Sequence, residues 1–376
     1  MSKLNDLIAR LCPDGVRFKR LGEVVTVSKG VQFNKSDMQS EGSFPVINGG
    51  INPSGYIEKY NQSENTITIS QGGASAGYVN WLSTKFWAGA HCYVVKPLDN
   101  VINRYVFHFL KSKEKKLQEC QYGAGIPALS KATVENLLIP VPPLEVQREI
   151  VRILDSFTEL TAELTAELVA RKQQYEYYRD LLLTFDKTPT QFSQTADSRQ
   201  QTAGCVEFKT LGEVLKICNG KDYKSFGVGN IPVYGSGGII ACIDTAIYNK
   251  PSVLIPRKGS VNKLYYVDVP FWTVDTIFFT EIYTELANPK FIYYLLQKEH
   301  LEKLNQAGGV PSLTKSVLDE VKIPVPPLEE QERIVKILDG FDKLCNDLNE
   351  GLPAEIEARQ KQYEYYRDKL LSFGNK

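Results

Sequence analysis

Nucleophilic and metal-binding side chains are few in this sequence and widely spaced. Its seven cysteines stand at positions 12, 92, 120, 205, 218, 242 and 345, with no Cys-x-x-Cys pair, and its three histidines are His91, His108 and His300. Zinc sites and redox-active dithiols need closely spaced ligands. The spacing therefore favours reduced, mostly buried thiols and predicts no metal site.

The motifs of nucleotide-binding and group-transfer enzymes are also missing from the sequence. It has no G-x-x-x-x-G-K-[ST] phosphate loop, no G-x-G-x-x-G after a strand, no G-x-S-x-G elbow and no H-E-x-x-H. Val141-Pro142-Pro143-Leu144 has the prolines of the tetrapeptide with which amino-methyltransferases orient a base nitrogen, but lacks the amide or carboxylate that holds it. Acidic nuclease sites have no fixed spacing, so such a search does not address them. The sequence predicts binding without catalytic residues.

The composition is typical of a soluble globular protein of two or three domains. The 376 residues are 43% hydrophobic, with 44 basic and 44 acidic side chains. No apolar run approaches the ~20 residues of a membrane span, and the first residues, MSKLNDLIAR, lack the apolar stretch of a signal peptide. We therefore expect no membrane association and a cytoplasmic location.

The charges are unevenly distributed along the chain. Residues 17–143 carry 14 Lys+Arg against 9 Asp+Glu, and residues 205–327 carry 13 against 12. Residues 144–185 carry 5 against 8, and residues 328–373 carry 7 against 11. The first pair of segments is better suited to meeting phosphates, and the second pair to meeting protein.

The sequence is an internal duplication with a period of about 190 residues. IPVPPLEVQREIVRILDSF (139–157) matches IPVPPLEEQERIVKILDGF (323–341), and RKQQYEYYRDLLLTF (171–185) matches RQKQYEYYRDKLLSF (359–373). FKRLGEV (18–24) matches FKTLGEV (208–214), whereas residues 25–120 and 215–305 share little. This pattern indicates one scaffold that presents two different recognition surfaces.

Each half begins with short β-branched runs separated by Gly- and Asn-rich turns, followed by helical periodicity, which predicts an α+β domain. A long amphipathic helix follows Pro142-Pro143 in the first half and recurs in the second. Such a helix must bury its apolar stripe, so the two copies most simply pair antiparallel, with pairing to other chains as the alternative. The predicted parts are an N-terminal segment (1–16), a domain (17–143), a helix (144–185), a linker (186–204), a second domain (205–327) and a second helix (328–376).

Two features of the helices concern their length and their tyrosines. Relative to the first helix, the second carries four extra residues near Gly351-Leu352-Pro353-Ala354, which we expect to insert one turn and preserve the stripe. The tyrosines of the two YEYYRD blocks cannot share one helix face, and most are expected to pack in a core.

These doubled blocks, together with the FTEL-TAEL-TAEL repeat (157–168), resemble the specificity subunit of type I restriction–modification enzymes, within it the group with TAEL repeats. The resemblance covers residues 15–376. It implies that each α+β domain is a target-recognition domain reading one half of a bipartite double-stranded DNA sequence. It further implies that the antiparallel helices hold the two domains apart.

The resemblance also implies the partners. Two modification subunits would bind S-adenosylmethionine and methylate adenine N6, and two restriction subunits would use ATP and Mg²⁺ to translocate and cut DNA. This chain itself would hold no cofactor.

DNA-reading side chains are expected in loops that follow strands, where Arg and Lys suit guanine O6/N7 and Asn and Gln suit adenine N6/N7. In the first domain these are Lys29, Gln32, Asn34, Lys35, Gln71 and Ser75. In the second domain they are Asn219, Lys221, Tyr223, Lys224, Arg257, Lys258, Asn262 and Lys263. Phosphate contact or plain solvation is the alternative for each.

Two other classes of protein stay open at this level. A stand-alone DNA nuclease or methyltransferase would bind S-adenosylmethionine or metal itself. A coiled-coil scaffold without sequence specificity would bind all DNA equally at matched salt.

Overall fold

The chain folds into two units that repeat one plan. The structure, a computed structural model, describes residues 2–34, 36, 38–123, 127–185, 206–304, 312–347 and 349–373. Unit 1 comprises Met1–Thr165 and Glu355–Lys376, and unit 2 comprises Ala166–Ala354. Each unit thus combines the globular part of one half of the sequence with a helix end from the other half.

Unit 1 is built on a four-stranded antiparallel sheet. Its strands are β1 (Phe18–Arg20), β2 (Val25–Lys29), β3 (Phe44–Ile47), β4 (Tyr56–Ile57), β5 (Thr66–Ser70), β6 (Val79–Leu82), β7 (Trp87–Ala88), β8 (Cys92–Pro97) and β9 (Leu138–Pro140). Its globular helices are α1 (Ser2–Leu11), α2 (Asn103–Ser112), α3 (Glu114–Glu119) and α4 (Lys131–Glu135). The main sheet has the order β2-β8-β5-β6, beside the small sheet β4-β3-β7 and the pair β1-β9.

The core of unit 1 lies between the main sheet and α2. Tyr105 and Phe109 of α2 are fully buried in one cluster with Ile67 and Ile69 of β5. All five residues of β5 are buried, so both faces of this strand are covered, as its β-branched sequence TITIS favours.

Unit 2 repeats this arrangement. Its strands are β10 (Glu207–Thr210), β11 (Leu215–Asn219), β12 (Val228–Gly235), β13 (Gly238–Ile243), β14 (Ser252–Pro256), β15 (Tyr265–Val267), β16 (Trp272–Thr273), β17 (Ile277–Ile282) and β18 (Lys322–Val325). Its globular helices are α6 (Leu211–Val214), α7 (Pro289–Lys298) and α8 (Lys315–Asp319). The sheets are β11-β17-β14-β15, β13-β12-β16 and β10-β18, with α7 in the place of α2.

The long helices are α5 (Leu144–Leu182), α9 (Leu328–Asn346) and α10 (Leu352–Ser372). In unit 1, Phe157 of α5 stacks on Tyr366 of α10 with ring centroids 5.4 Å apart. Leu154 lies one turn before Phe157 on α5, and Leu370 lies one turn after Tyr366 on α10. Both belong to the same buried cluster, as antiparallel pairing of the two helices requires.

Unit 2 repeats the pairing with the helix roles exchanged. Phe341 of α9 stacks on Tyr178 of α5 at 5.6 Å. Leu338 lies one turn before Phe341 on α9, and Leu182 lies one turn after Tyr178 on α5. These two leucines also share one cluster. The α+β class, the internal duplication and the antiparallel pairing of the long helices are therefore confirmed.

The expected single helix over 328–376 is wrong, because α9 ends at Asn346 and α10 begins at Leu352. The four extra residues do not add one turn to a continuous helix. Pro353 follows directly inside α10, where its missing N–H and fixed φ suit a first turn but would break a helix interior. The Asp347 carboxylate accepts hydrogen bonds from the backbone N–H of Asn349 (2.7 Å) and of Glu350 (3.2 Å), which stabilises the break.

Three of the six described cysteines, Cys12, Cys92 and Cys345, are buried, while Cys120 and Cys242 are exposed. Cys205 lies outside the described residues. Within the described ranges, no helix is long and apolar enough to cross a membrane.

Candidate nucleic-acid interface

The polar loops expected to read DNA emerge at the same end of the main sheet in both units. In unit 1, Lys29 at the end of β2 pairs with Tyr93 of β8, and Ser70 at the end of β5 pairs with Cys92. Because Tyr93 and Cys92 are neighbours, the loops after β2 and β5 leave the sheet side by side.

Unit 2 has the corresponding register. Asn219 at the end of β11 pairs with Phe278 of β17, and Pro256 at the end of β14 pairs with Ile277. The loops that contain Asn219–Lys224 and Arg257–Lys263 therefore also leave the sheet together.

In unit 1 the two loops meet through Lys29 and Gln71. In the amide orientation that satisfies both of its ends, Gln71 accepts a hydrogen bond from Lys29 Nζ (3.2 Å) and donates one to the Ala90 carbonyl (3.3 Å). The Gln71 backbone is held as well, since its N–H donates to the His91 carbonyl (2.9 Å) and its carbonyl accepts from Leu129 N–H (2.7 Å). An exposed cation and a half-buried amide thus lie together on a fixed backbone.

In each unit a tryptophan holds the loop that follows the first strand of the main sheet, which is β2 in unit 1 and β11 in unit 2. Trp87 Nε1 donates to the Val31 carbonyl (2.9 Å), and Trp272 Nε1 donates to the Lys221 carbonyl (2.8 Å). The residue before the pinned carbonyl is Gly30 or Gly220, where an added Cβ would overlap backbone carbonyl oxygens of the Trp-bearing segment. Glycine is therefore required at these positions, and the exposed side chains that follow have a rigid base.

The remaining residues of unit 1's first loop are less constrained. Gln32 and Asn34 are exposed, and Gln32 Nε2 donates to the neighbouring Phe33 carbonyl (3.2 Å). Lys35 lies outside the described residues. Ser75 is half-buried in the loop after β5, and its carbonyl accepts from Tyr78 N–H (2.9 Å).

Arg257 is the most distinctive of the expected residues in unit 2. Its guanidinium carbon lies 5.2 Å from the Phe278 ring centroid, in cation–π contact. Its Nε is buried and has no hydrogen-bond partner among the residues that the structure describes. The residue as a whole is half-buried, and a guanidinium in such a position can offer its terminal Nη groups to an acceptor such as a phosphate or a guanine edge.

The other expected residues of unit 2 fall into two groups. Asn219, Lys221, Lys224, Lys258 and Asn262 are exposed. Lys263 is exposed too, but its Nζ donates to the Gly237 carbonyl (3.2 Å). Tyr223 instead packs beside a small cluster that contains Val233 and Trp272, so its ring supports the loop.

Sequence reasoning missed polar groups that enter this end of the sheet from the smaller sheet. Asn48 follows β3, and its Oδ1 accepts from the backbone N–H of His91 (3.2 Å), whose side chain is exposed. In unit 2, the turn Ser236-Gly237 between β12 and β13 occupies the related position. The Asn-Gly-Gly and Gly-Ser-Gly-Gly runs signalled turns, but only the folded sheet brings them beside the other loops.

A buried glutamine fastens each globular part to its long helix. Gln147 Oε1 accepts from Ile102 N–H (2.9 Å), while its Nε2 donates to the carbonyls of Pro142 (2.8 Å) and Asn100 (3.2 Å). Gln331 makes the same three bonds in unit 2, to Asn288 N–H (2.8 Å) and to the carbonyls of Pro326 (2.8 Å) and Leu286 (3.0 Å). This accounts for the glutamine of both IPVPPLE-x-Q blocks.

An aspartate on each long helix forms a second connection. In unit 1, Asp155 binds Arg104 Nε at 2.7 Å and His108 Nε2 at 2.8 Å, and His108 Nδ1 accepts from the Tyr363 hydroxyl at 2.9 Å. Burial opposes ionisation of Asp155, but the bonds from His108 and Arg104 hold the pKa of its carboxyl below the usual range. Burial lowers the pKa of His108, which favours the neutral imidazole.

Unit 2 has the same connection with different residues. Asp339 binds Lys290 Nζ at 2.7 Å and accepts from the Tyr294 hydroxyl at 2.6 Å. Burial and the hydrogen bond to Asp339 raise the pKa of Tyr294, which keeps its hydroxyl protonated as a donor. The frame is thus repeated closely, while the loops at the far end of the sheet differ.

The tyrosines of each YEYYRD block divide between packed and exposed positions, as expected. Tyr175 and Tyr178 pack against Phe341, and Tyr363 and Tyr366 pack in unit 1. The middle tyrosines, Tyr177 and Tyr365, are 64% and 60% exposed, and Tyr178 remains 36% exposed beside Phe341. Over the described ranges, no group of three or more His, Cys, Asp or Glu side chains could hold a metal ion.

The sequence matches the family model of the type I restriction modification DNA specificity domain twice, over residues 13–171 and 205–358. It is 32% identical to a putative type I restriction enzyme specificity subunit of Haemophilus influenzae, with 96% of each chain covered. It is 33% identical to the EcoR124I/EcoR124II specificity subunit of Escherichia coli, with 99% of this chain and 98% of that protein covered.

Solved structures show the same fold. The S subunit of a type I restriction-modification system from M. genitalium superposes with a TM-score of 0.64 at 22% identity, covering 95% of this chain and 96% of that chain. A chain from a structural study of complex assembly and conformational transition in a type I system gives 0.56 at 18% identity, covering 95% and 98%. The two family matches fall on the two halves of the duplication, and this chain belongs to the type I restriction-modification specificity subunit family.

Proposed function

We propose that this chain reads a bipartite double-stranded DNA sequence, one half with each unit, for a type I restriction–modification complex. The observation that carries the proposal is the contrast between frame and loops. The Gln and Asp connections to the long helices are repeated in both units, whereas the polar side chains at the far end of the two sheets differ. A repeated frame with divergent loops suits two half-sites of different sequence.

The chemistry of the loops supports DNA as the ligand. Each unit has cations that suit phosphate or guanine, namely Lys29 in unit 1 and Arg257, Lys258 and Lys263 in unit 2, next to amides that suit adenine. We take residues 17–143 and 205–327 as the two target-recognition domains. The rigid backbone below these side chains favours direct readout, because a base contact requires a fixed donor position.

The proposed partners are those that membership of the specificity subunit family implies, and the duplicated frame is compatible with two copies of each. Two modification subunits, each binding S-adenosylmethionine, would dock on equivalent surfaces and methylate adenine N6, one in each half-site. Two restriction subunits would supply ATP- and Mg²⁺-dependent translocation and cleavage. The whole complex would act on DNA in the cytoplasm, and this chain would bring sequence recognition without catalytic residues of its own.

The helices are proposed to fix the gap between the half-sites. The TAEL segment of α5 is a plain helix with mostly exposed side chains. In the two TAEL units, residues 161–168, Thr161 and the leucines Leu164 and Leu168 are half-buried, and the other five residues are exposed. A four-residue unit adds about 6 Å of helix, close to two base pairs of B-DNA. The repeat can therefore change length with little loss of packing, which supports a role as an adjustable spacer.

Selection of bound sequences from a random DNA library tests the proposal. The wild-type chain, assembled with its modification subunit, should enrich two short motifs at a fixed separation. Lys29→Ala with Gln71→Ala should relax the bases of one motif, and Arg257→Ala with Lys263→Ala should relax the other, since one lost base contact costs about 1–3 kcal/mol.

The matched controls are Lys115→Ala in unit 1 and Lys250→Ala with Lys303→Ala in unit 2, which remove one and two positive charges, as the test pairs do, from exposed positions outside these loops. They should leave both motifs unchanged. Enrichment of no motif, or equal relaxation of both motifs by either variant pair, would refute the assignment of one half-site to each unit. Methyl transfer by the chain alone with S-adenosylmethionine would favour a stand-alone methyltransferase instead.

A further inference from the structure

The hairpin of β12 and β13 in unit 2 ends in exposed aliphatic side chains beside the cationic loops. Ile239 is 59% exposed and Ile240 is 52% exposed. Successive residues of a strand point to opposite faces of the sheet. Since both are more than half exposed, aliphatic surface is accessible on both faces of the ribbon at its tip.

The tip is held firmly despite its exposure. Lys263 Nζ donates to the Gly237 carbonyl at 3.2 Å, and the Tyr265 hydroxyl donates to the Ser236 carbonyl at 3.3 Å. Ser236 N–H donates to Thr276 Oγ1 at 3.3 Å. The turn is thus tied to the loops that contain Lys263 and that precede β17, at the end of the sheet proposed to meet DNA.

The neighbours of the tip favour nucleic acid over an apolar partner. Lys263 bonds to the turn itself, and Arg257, Lys258 and Asn262 lie in the same loop after β14. An apolar protein surface would have to bury these cations without counter-charges, whereas phosphates would pair with them. A ribbon of two strands is also a shape that the major groove of B-DNA admits.

We propose that the β12–β13 tip enters the major groove of the half-site read by unit 2 and that Ile239 and Ile240 contact the C5-methyl group of a thymine. This inference rests on the proposed function. Thymine is the one DNA base that presents a methyl group in the major groove, and aliphatic contact is the way proteins read it. Ile239 and Ile240 would thereby determine specificity at a T·A pair next to the bases read by Arg257 and Lys263.

Unit 1 is built differently at this position. There β3 and β4 are joined by the longer segment 48–55, and β4 spans only Tyr56–Ile57. The proposed methyl contact of this ribbon is therefore a property of unit 2, and it should affect one half-site only.

Replacing thymine by deoxyuridine tests the proposal, because it removes the methyl group and leaves base pairing intact. Once the target is known, each thymine of both halves, on either strand, is replaced in turn, and the affinity of the assembled complex is measured by fluorescence anisotropy. A buried methyl contributes about 0.8 kcal/mol, so we expect about a fourfold loss of affinity at one position. That position should lie in the half-site whose bases are relaxed by Arg257→Ala.

The variant Ile239→Ala/Ile240→Ala should bind thymine and deoxyuridine DNA equally at that position. Val228→Ala is the matched control, because Val228 is an aliphatic residue of the same hairpin, 96% exposed, at the opposite end of β12. It should keep the wild-type discrimination.

The proposal is overturned if wild-type complex shows no methyl-dependent position in that half-site, or if the double variant keeps the discrimination. It is also overturned if the folded double variant no longer assembles with the modification subunit, since the tip would then be a protein contact. A bipartite target found with no methyl dependence would leave the proposed function intact and remove only this inference.

Discussion

Removal of the buried amide of Gln147 should weaken the connection between the globular part of unit 1 and α5. The side chain is fully buried and makes three hydrogen bonds of 2.8–3.2 Å. Gln147→Ala would leave the Ile102 N–H without its acceptor, at about 1–3 kcal/mol, and lose two bonds worth about 1 kcal/mol each. We expect a total loss of about 3–5 kcal/mol in the free energy of unfolding.

Thermal unfolding followed by circular dichroism measures this loss. For a unit of this size, 1 kcal/mol corresponds to about 2–4 °C, so the midpoint should fall by about 6–20 °C. Gln331→Ala should give a loss of the same size, because the same three bonds recur in unit 2. Gln173→Ala, at an exposed position of α5, is the control and should change the free energy by no more than about 0.5 kcal/mol.

A charge-changing variant separates hydrogen bonding from packing. In Gln147→Glu the second oxygen would face the carbonyls of Pro142 and Asn100, so the pKa of the new carboxyl should be raised in the folded state. The cost should be full above that raised pKa and should vanish as the pH falls below about 4.3, the unfolded value. Equal midpoints for Gln147→Ala and Gln173→Ala, or a Gln147→Glu cost that does not change with pH, would refute the assigned role of the amide.

Three further outcomes follow from the structure. Insertion of one TAEL unit after Leu168 should lengthen the gap of the DNA target by one or two base pairs and leave both half-sites unchanged, as read from the methylated motif; an unchanged gap would refute the spacer role. Arg152 and Lys3 lower the pKa of Glu149 to about 2, so the carboxylate stabilises the fold above pH 4.3 and this contribution is lost as the pH falls towards 2; the midpoint of Glu149→Gln should lie below wild type at pH 7 and converge with it near pH 2. Burial lowers the pKa of His108 in the folded state, so wild type should lose stability as the pH falls below about 6.5, where the unfolded imidazole takes up a proton; the midpoint of His108→Gln should lack this part of the pH dependence, and identical pH profiles would refute it.

The frame of the molecule could be predicted from sequence because its signals are local and doubled. Pro142-Pro143 marks the start of α5, and the apolar spacing from Ile150 onward marks its buried face. The break between α9 and α10 was missed, although Gly351 and Pro353 both signal it. The helical periodicity favours four residues as one added turn, but a proline disfavours the interior of a helix, and in the structure α10 starts anew just before Pro353.

The candidate interface was predictable only in part. Loops after strands identified Lys29, Gln71 and Arg257, but that Lys29 and Gln71 meet depends on the order β2-β8-β5, in which sequence neighbours are not sheet neighbours. Tyr223 shows the opposite case, since a loop aromatic that could stack on a base packs in a small cluster instead. Residue type alone does not separate these cases, because burial is decided by strands far away in the sequence.

The most direct test of the central claim is the pattern of methylated adenine in DNA from cells that express this chain with its modification subunit, read by single-molecule sequencing. The account predicts one bipartite motif, with a modified adenine in each half and a fixed gap between them. A contiguous motif, or methylation without sequence preference by the assembled complex, would contradict the reading of one half-site by each unit.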